Sequence, residues 1–287
     1  MKAIYKKEVK SYLTSMIGYV FIFFILLLEG IYFTAYNLQN AYPLFGTTLS
    51  AVTFIFLILV PVLTMKTIAE ERKQKTDQLL LTAPVSVSEI VLGKFLAVAT
   101  VYAIPVLSIC LYPMIMGKYG TVSYAMAYTA VLGFALLGFA QIAVGVFWSS
   151  VTENPVIAAV VTFIVLFVCY MITGIGSLIP DSSMASLACY MLLVLLAAVW
   201  IYHMIRNLWI AAVIGIAGEA ALAITYVVKS TLFEGSIQKF LSVFDITSHF
   251  DNFTNGILDL QGVVYFLSVI IIFLVLTVQT ITKRRWN

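Results

Sequence analysis

Charge is scarce in this 287-residue chain: Asp, Glu, Lys and Arg together make up 10% of it, where a soluble globular domain carries about a quarter. With 62% of the residues apolar, a water-facing globule is excluded and an all-α polytopic membrane protein is expected. Histidine is nearly absent. His203 and His249 lie far apart in sequence, and Cys110, Cys169 and Cys189 sit in or beside apolar runs without CxxC spacing. That supply builds neither a metal site nor a disulfide framework, and the cysteines read as small buried hydrophobes. No GxxxxGK[ST] phosphate cradle occurs, since Gly93-Lys94 is followed by Phe95, and HExxH and GxSxG are missing too. No catalytic residue, metal or cofactor is therefore expected on this chain. The net charge of +3 is too small to suggest a nucleic-acid partner.

Apolar sequence is what the chain has in abundance. A helix crosses the hydrocarbon with about 20 apolar residues, and eight runs approach or exceed that length: 17–36, 47–65, 91–116, 124–149, 155–179, 186–204, 208–228 and 263–282. The first run is too long for a signal-peptide core and is expected to remain as a span. Thirteen of the sixteen Lys and Arg residues fall in the 1–16 arm, the 66–94 segment, the 204–207 turn and the C-terminus, whereas Lys118, Lys229 and Lys239 fall between the alternate spans. The positive-inside rule then places both termini and the 66–90 elbow in the cytoplasm. In the 1–16 arm, Ile4, Val9, Tyr12 and Leu13 are interspersed with Lys6, Lys7 and Lys10. This suits either a basic helix on the inner leaflet or a plain positive anchor. The 229–262 segment repeats Phe233, Ile237, Phe240, Leu241 and Phe244, then Phe250, Phe253 and Ile257, at helical spacing, which predicts short half-buried helices on the outer face. Gly133 and Ala140, like Gly138 and Gly145, share a face of the fourth run and suit close helix packing. Pro105 and Pro113 should bend the third.

A few polar features stand out against this background. Glu29 and Glu219 fall within spans, where an acid is a candidate intramembrane polar site. Each is read either as an ion or substrate contact, or as a carboxyl that bonds a neighbouring helix or reaches an interface. Asn252-Phe253-Thr254 matches a short glycosylation pattern that is frequent by chance. The most polar stretch is AEERKQKTDQLLLTAPVSVS at 69–88. It reads as a polar helix broken at Pro84, followed by a second helix capped by Ser86 or Ser88 with Glu89 in capping-box position. Such an elbow either docks on a cytoplasmic partner or merely joins two spans. Paired Glu70 and Glu71 also admit a stand-alone intramembrane protease. However, Lys75 stands where such enzymes place an Arg, no suitably placed histidine follows, and the neighbouring cations favour ionised surface carboxylates. A membrane scaffold is a further alternative.

The elbow resembles the first cytoplasmic segment of ABC-2 type transporter permeases. The shared residues are Glu70-Glu71-Arg72, Thr76, Leu79-Leu80 and Pro84, followed by Gly93-Lys94. The opening Tyr5-Lys6-Lys7-Glu8-Val9-Lys10-Ser11-Tyr12 and the ending from Phe250 through Gly256-Ile257-Leu258-Asp259-Leu260 to Arg284-Arg285-Trp286 are similar to the gliding-motility-associated branch. The resemblance implies a six-span, type V exporter-like core with an extra span pair at 186–228, in a bacterial inner membrane. It implies a second permease subunit, identical or not, and ATP-binding cassette subunits that carry ATP and Mg and drive export. Glu70, Glu71, Arg72, Lys75, Thr76, Leu79, Leu80 and Pro84 would then contact the ATPase. The family commonly has Gly at position 75, so Lys75 is expected to stiffen the elbow helix.

Overall fold

The computed structural model describes residues 1–77 and 85–285. Helices and the turns between them account for these residues, with no strand among them. All eight apolar runs lie on helices. Five helices are long and apolar enough to span a membrane, or up to seven if two bent pairs each count as one span. The sixth run is helical over Ser183–Ile205, but its described apolar stretch, Ser183–Val199, is shorter than a full span.

Residues Met1–Val168 and Ile246–Asn287 form one compact unit. The arm is helix α1, Lys2–Thr14. An extended Ser15 turns the chain into α2, Met16–Tyr32, which continues as a π-helix over Phe33–Gln39. The second run is not one straight helix. It divides into α3, Phe45–Thr53, and α4, Phe56–Thr64, bent by 59°. At the break, the amides of Ile55, Leu57 and Ile58 bond three residues back, which tightens the turn to 3₁₀ geometry and redirects the axis. The elbow helix α5, Ala69–Lys73, comes next, then α6, Val87–Ile109. Ser86 caps α6 by accepting the Glu89 amide at 3.3 Å, one of the two serines expected to do so. The third run does continue past Pro105, but it breaks at Cys110 and ends in a short helix α7, Tyr112–Met116, with Pro113 in its first turn.

Helix α8, Tyr124–Val151, is the axis of this unit and packs against α3, α4, α6 and the C-terminal helix. Its glycines set the spacing. A Cβ on Gly138 would run into the Tyr102 ring and one on Gly145 into Thr64, so α6 and α4 approach as closely as they do only because these positions are bare. Around that seam Phe56, Tyr102, Phe134 and Phe250 are fully buried. The Phe56 and Phe134 rings lie 4.9 Å apart, and the Tyr102 hydroxyl donates to the Phe134 carbonyl at 2.7 Å. Helix α9, Pro155–Ser177, follows. After Ile246 come a 3₁₀ turn, Ser248–Phe250, a single turn α13, Asp251–Thr254, and the last span α14, Leu260–Arg285. Asp259 caps α14 by accepting from the Gln261 amide at 2.9 Å and from Asn252 at 2.8 Å.

Residues Cys169–Asp245 form a second unit. Helix α10, Ser183–Ile205, pairs with α11, Leu208–Val228, across a two-residue turn in which Arg206 is left-handed. The predicted break between the sixth and seventh runs is thus real. After a 3₁₀ turn at Ser230–Phe233 comes α12, Ser236–Ser242. Phe233 and Ile237 are buried, whereas Phe240 and Phe244 are exposed. The aromatic repeat of 229–262 therefore gives short helices as expected, divided between the two units.

Candidate functional site

The arm, the elbow and the start of α6 meet around one buried cation. Lys94 is 2% exposed, and an ammonium has three protons to place. Its Nζ donates to Glu8 Oε1 at 3.0 Å and to the Thr67 carbonyl at 2.8 Å, and it pairs with Glu71 Oε2 at 2.9 Å. Both carboxylates also face Lys7, at 3.2 Å from Glu71 and 3.8 Å from Glu8. Two acids and two bases balance, which is what makes burial of this cluster tolerable. Burial opposes the Lys7 charge, but the Glu71 carboxylate outweighs it and, with Glu8, holds that ammonium above its usual pKa. Beneath the cluster the Tyr12 phenol is pushed up by burial; its hydroxyl reaches the Leu63 carbonyl at 3.2 Å and Thr67 at 3.1 Å. A cleft of about 320 Å³ opens beside these groups, reaching Lys66, Glu70 and Gln74.

The Gly93-Lys94 pair sits on the contact between α1 and α6. The α-carbon of Gly93 faces Ile4 closely enough that an added Cβ would sit in van der Waals contact with it at 3.4 Å, so α1 lies directly against α6 here. The next residue then reaches Glu8 across the contact. Tyr5 and Thr100 share a hydrogen bond of 3.0 Å further along the same seam.

The other side of the elbow is tied to the end of α8. Arg72, 7% exposed, donates to the carbonyls of Ser150 at 2.6 Å and Thr152 at 2.8 Å, and to Glu153 Oε1 at 3.0 Å. A guanidinium there satisfies carbonyls left open at a helix C-terminus. Ser149 Oγ accepts from the amides of Ile68 and Ala69, both at 3.1 Å, and donates to the Met65 carbonyl at 3.1 Å. Arg72, Lys94 and Glu71 also line a small cleft with Ile281 and Arg284 of α14. The N-terminal helix, the elbow and the end of the last span therefore share one end of this unit.

The sequence-predicted residues divide accordingly. Glu71 and Arg72 face inward and are engaged within the chain. Glu70 keeps to the surface, in an i,i+4 pair with Lys66 at 3.7 Å. Thr76 bonds the Glu71 carbonyl at 3.2 Å. Leu79, Leu80 and Pro84 lie outside the described residues. Lys75 corrects the expectation of a stiffer helix: it adopts φ 56 and ends α5. Its amide bonds Arg72 O at 3.0 Å and the Thr76 amide bonds Glu71 O at 2.9 Å, the pattern of a Schellman C-cap with the left-handed position filled by lysine. The sequence patterns included Lys94 and Glu8 as parts of separate motifs but gave neither a structural role nor paired them. The available signal was a lysine inside VLGKFLAVAT, which must find a carboxylate.

Glu29, in α2, is wholly buried, and neither of its oxygens has a hydrogen-bond partner among the described residues. Within the described residues of this chain it is thus sealed from solvent and bonded to no neighbouring helix. Glu219 lies on α11 beside a groove of about 610 Å³ lined by Met191, Leu195, Ala198 and other apolar residues, and its oxygens are likewise without partners. Among the described residues no group of His, Cys, Asp and Glu is arranged to hold a metal ion.

A family model described as ABC-2 family transporter protein matches residues 2–284. No curated protein sequence matches the chain.

Proposed function

We propose that this chain, which belongs to the ABC-2 transporter family, is the membrane-spanning permease subunit of an ATP-binding cassette exporter. Its ATP and Mg sites would lie on separate ATPase subunits, and a second permease, identical or not, would complete the pathway. The lysine and arginine distribution supports placing both termini and the elbow in the cytoplasm, and the family resemblance favours a bacterial inner membrane. The sequence patterns at its two ends favour the gliding-motility-associated branch, with 186–228 as a pair of spans added to a six-span core.

The observation that carries this reading is the double anchoring of the elbow. Glu71 ties it to α1 and α6 through Lys94, and Arg72 and Ser149 tie it to α8. A force applied to the elbow's outer face cannot be absorbed by a slack loop and moves three helices together. That is the property a coupling element needs when closure of ATPase subunits drives a rigid-body switch. Glu71 and Arg72 act as the inner struts, while Glu70, Lys73 and Lys75, with the 79–84 segment, form the contact surface for the ATPase.

Co-purification from membranes in mild detergent tests this. The wild-type chain brings an ATP-binding subunit with it. Lys73→Glu and Glu70→Lys, which touch neither strut, lower that recovery and transport together while the chain still melts normally. Full recovery of an ATPase with both variants, at normal transport, removes the elbow from the contact.

A further inference from the structure

Glu29 is a buried acid that the coupling mechanism leaves unused. It is 0% exposed, and both carboxyl oxygens lack a hydrogen-bond partner among the described residues. Tyr102 of α6 and Tyr112 of α7 feel its charge, and Tyr32 stands three residues on in α2, one turn away on the same face. The Tyr102 hydroxyl is already committed to the Phe134 carbonyl at 2.7 Å. Tyr112 packs its ring on Phe33 at 4.6 Å. Helices α3 and α4 contribute no ionisable residue. The charges of α1, and Lys94 of α6, cluster at the other end of α2, where the Tyr12 carbonyl touches Gly18. Eleven residues separate Gly18 from Glu29, about 16 Å along a helix. Among the described residues no cation or donor is therefore within hydrogen-bond reach of either oxygen, and a buried carboxylate without one is untenable.

We propose that Glu29 is a proton-binding site: its carboxyl carries a proton while α2 is packed against α6, and releases it when the two helices part and water enters. A second observation marks the same place as a point of change. The Phe33 amide is divided between the carbonyls of Glu29 and Gly30, and the helix continues in π register through Gln39, a feature frequent at functional sites. The proton moves to bulk water and back, with no other reactant. Proton loss then favours the separated arrangement, so opening of this seam becomes easier as pH rises.

The chain alone, in lipid nanodiscs, suffices for the test, which is independent of any ATPase partner. Infrared spectra at neutral pH should show a carboxylic-acid C=O band that Glu29→Gln removes and Glu219→Gln does not. In hydrogen exchange corrected for intrinsic rates, the opening constant of α2 peptides in the wild type should rise with pH, by up to tenfold per unit for one proton. Glu29→Gln should be flat. Glu29→Asp, which keeps the acid, should retain both signals and controls for damaged packing. A wild-type spectrum unchanged by Glu29→Gln, or equal pH dependence in the two proteins, overturns the proposal.

Discussion

Lys94 illustrates what a single residue carries in this protein. Its ammonium is out of water, and three acceptors from α1, from the elbow and from the turn before it hold it there. Removing one partner of such a buried pair costs about 3–5 kcal/mol, because the remaining charges stay buried. Lys94→Met is therefore expected to lower stability by about that amount, read as a fall in melting temperature in detergent. The presence of a lysine early in α6 was legible, and so was its need for an acid. Which acids would answer it was not, since Glu8 and Glu71 are distant in sequence and meet only where α1 and the elbow pack against α6.

Among the elements, the elbow helix departs most from its pattern. Its polar run reads as one helix up to Pro84, yet α5 stops at Lys73, where a Schellman cap places Lys75 in the left-handed region. A side chain with a Cβ pays about 1–2 kcal/mol there. Lys75→Gly should therefore stabilise the elbow by about 1 kcal/mol, visible as slower proteolysis of the segment or a higher melting temperature. Pattern alone favours helix continuation. The stop coincides with the Arg72 side chain being bonded to the end of α8, a tertiary contact the local pattern does not contain. The start of α14 shows local legibility by contrast, since Asp259 lies just before the apolar run. The Asn252 side chain, with the Gln261 amide, holds its carboxyl below the usual carboxylate range. Stability from this cap is complete above the ordinary value of about 3.9 and is lost as pH falls through the lower folded pKa. Acid titration of the melting temperature should show that limb in the wild type, and Asp259→Asn should flatten it.

At the scale of the molecule, all eight apolar runs are helical, but five to seven spans rather than eight are found among the described residues; the bias of lysine and arginine gave their expected orientation. The pairing of α1 with the elbow and the cleft that the elbow shares with the end of α14 accord with termini on one side. Single cysteines at Lys2, Lys75 and Lys283 should react with an impermeant thiol reagent from the same side of the membrane, and one at Lys118 from the other. Reaction of Lys118Cys together with Lys75Cys from one side would reverse the assigned topology. The bend between α3 and α4 was not visible in the sequence, because no Gly, Pro or charge marks the junction at Phe54-Ile55 and the break consists of backbone bonds shifted by one residue.

The sequence by itself determined that this chain is a helical membrane protein, where its helices lie and which segment stands out from them. Those properties follow from composition and period, which are local. Only the tertiary structure decided that Glu71 and Arg72 turn inward as struts, that Lys94 joins three elements, and that Glu29 is sealed without a partner. Each depends on which helices touch, and helix contacts are chosen by the shapes of bare and bulky faces, such as Gly138 against Tyr102, that no single stretch of sequence contains.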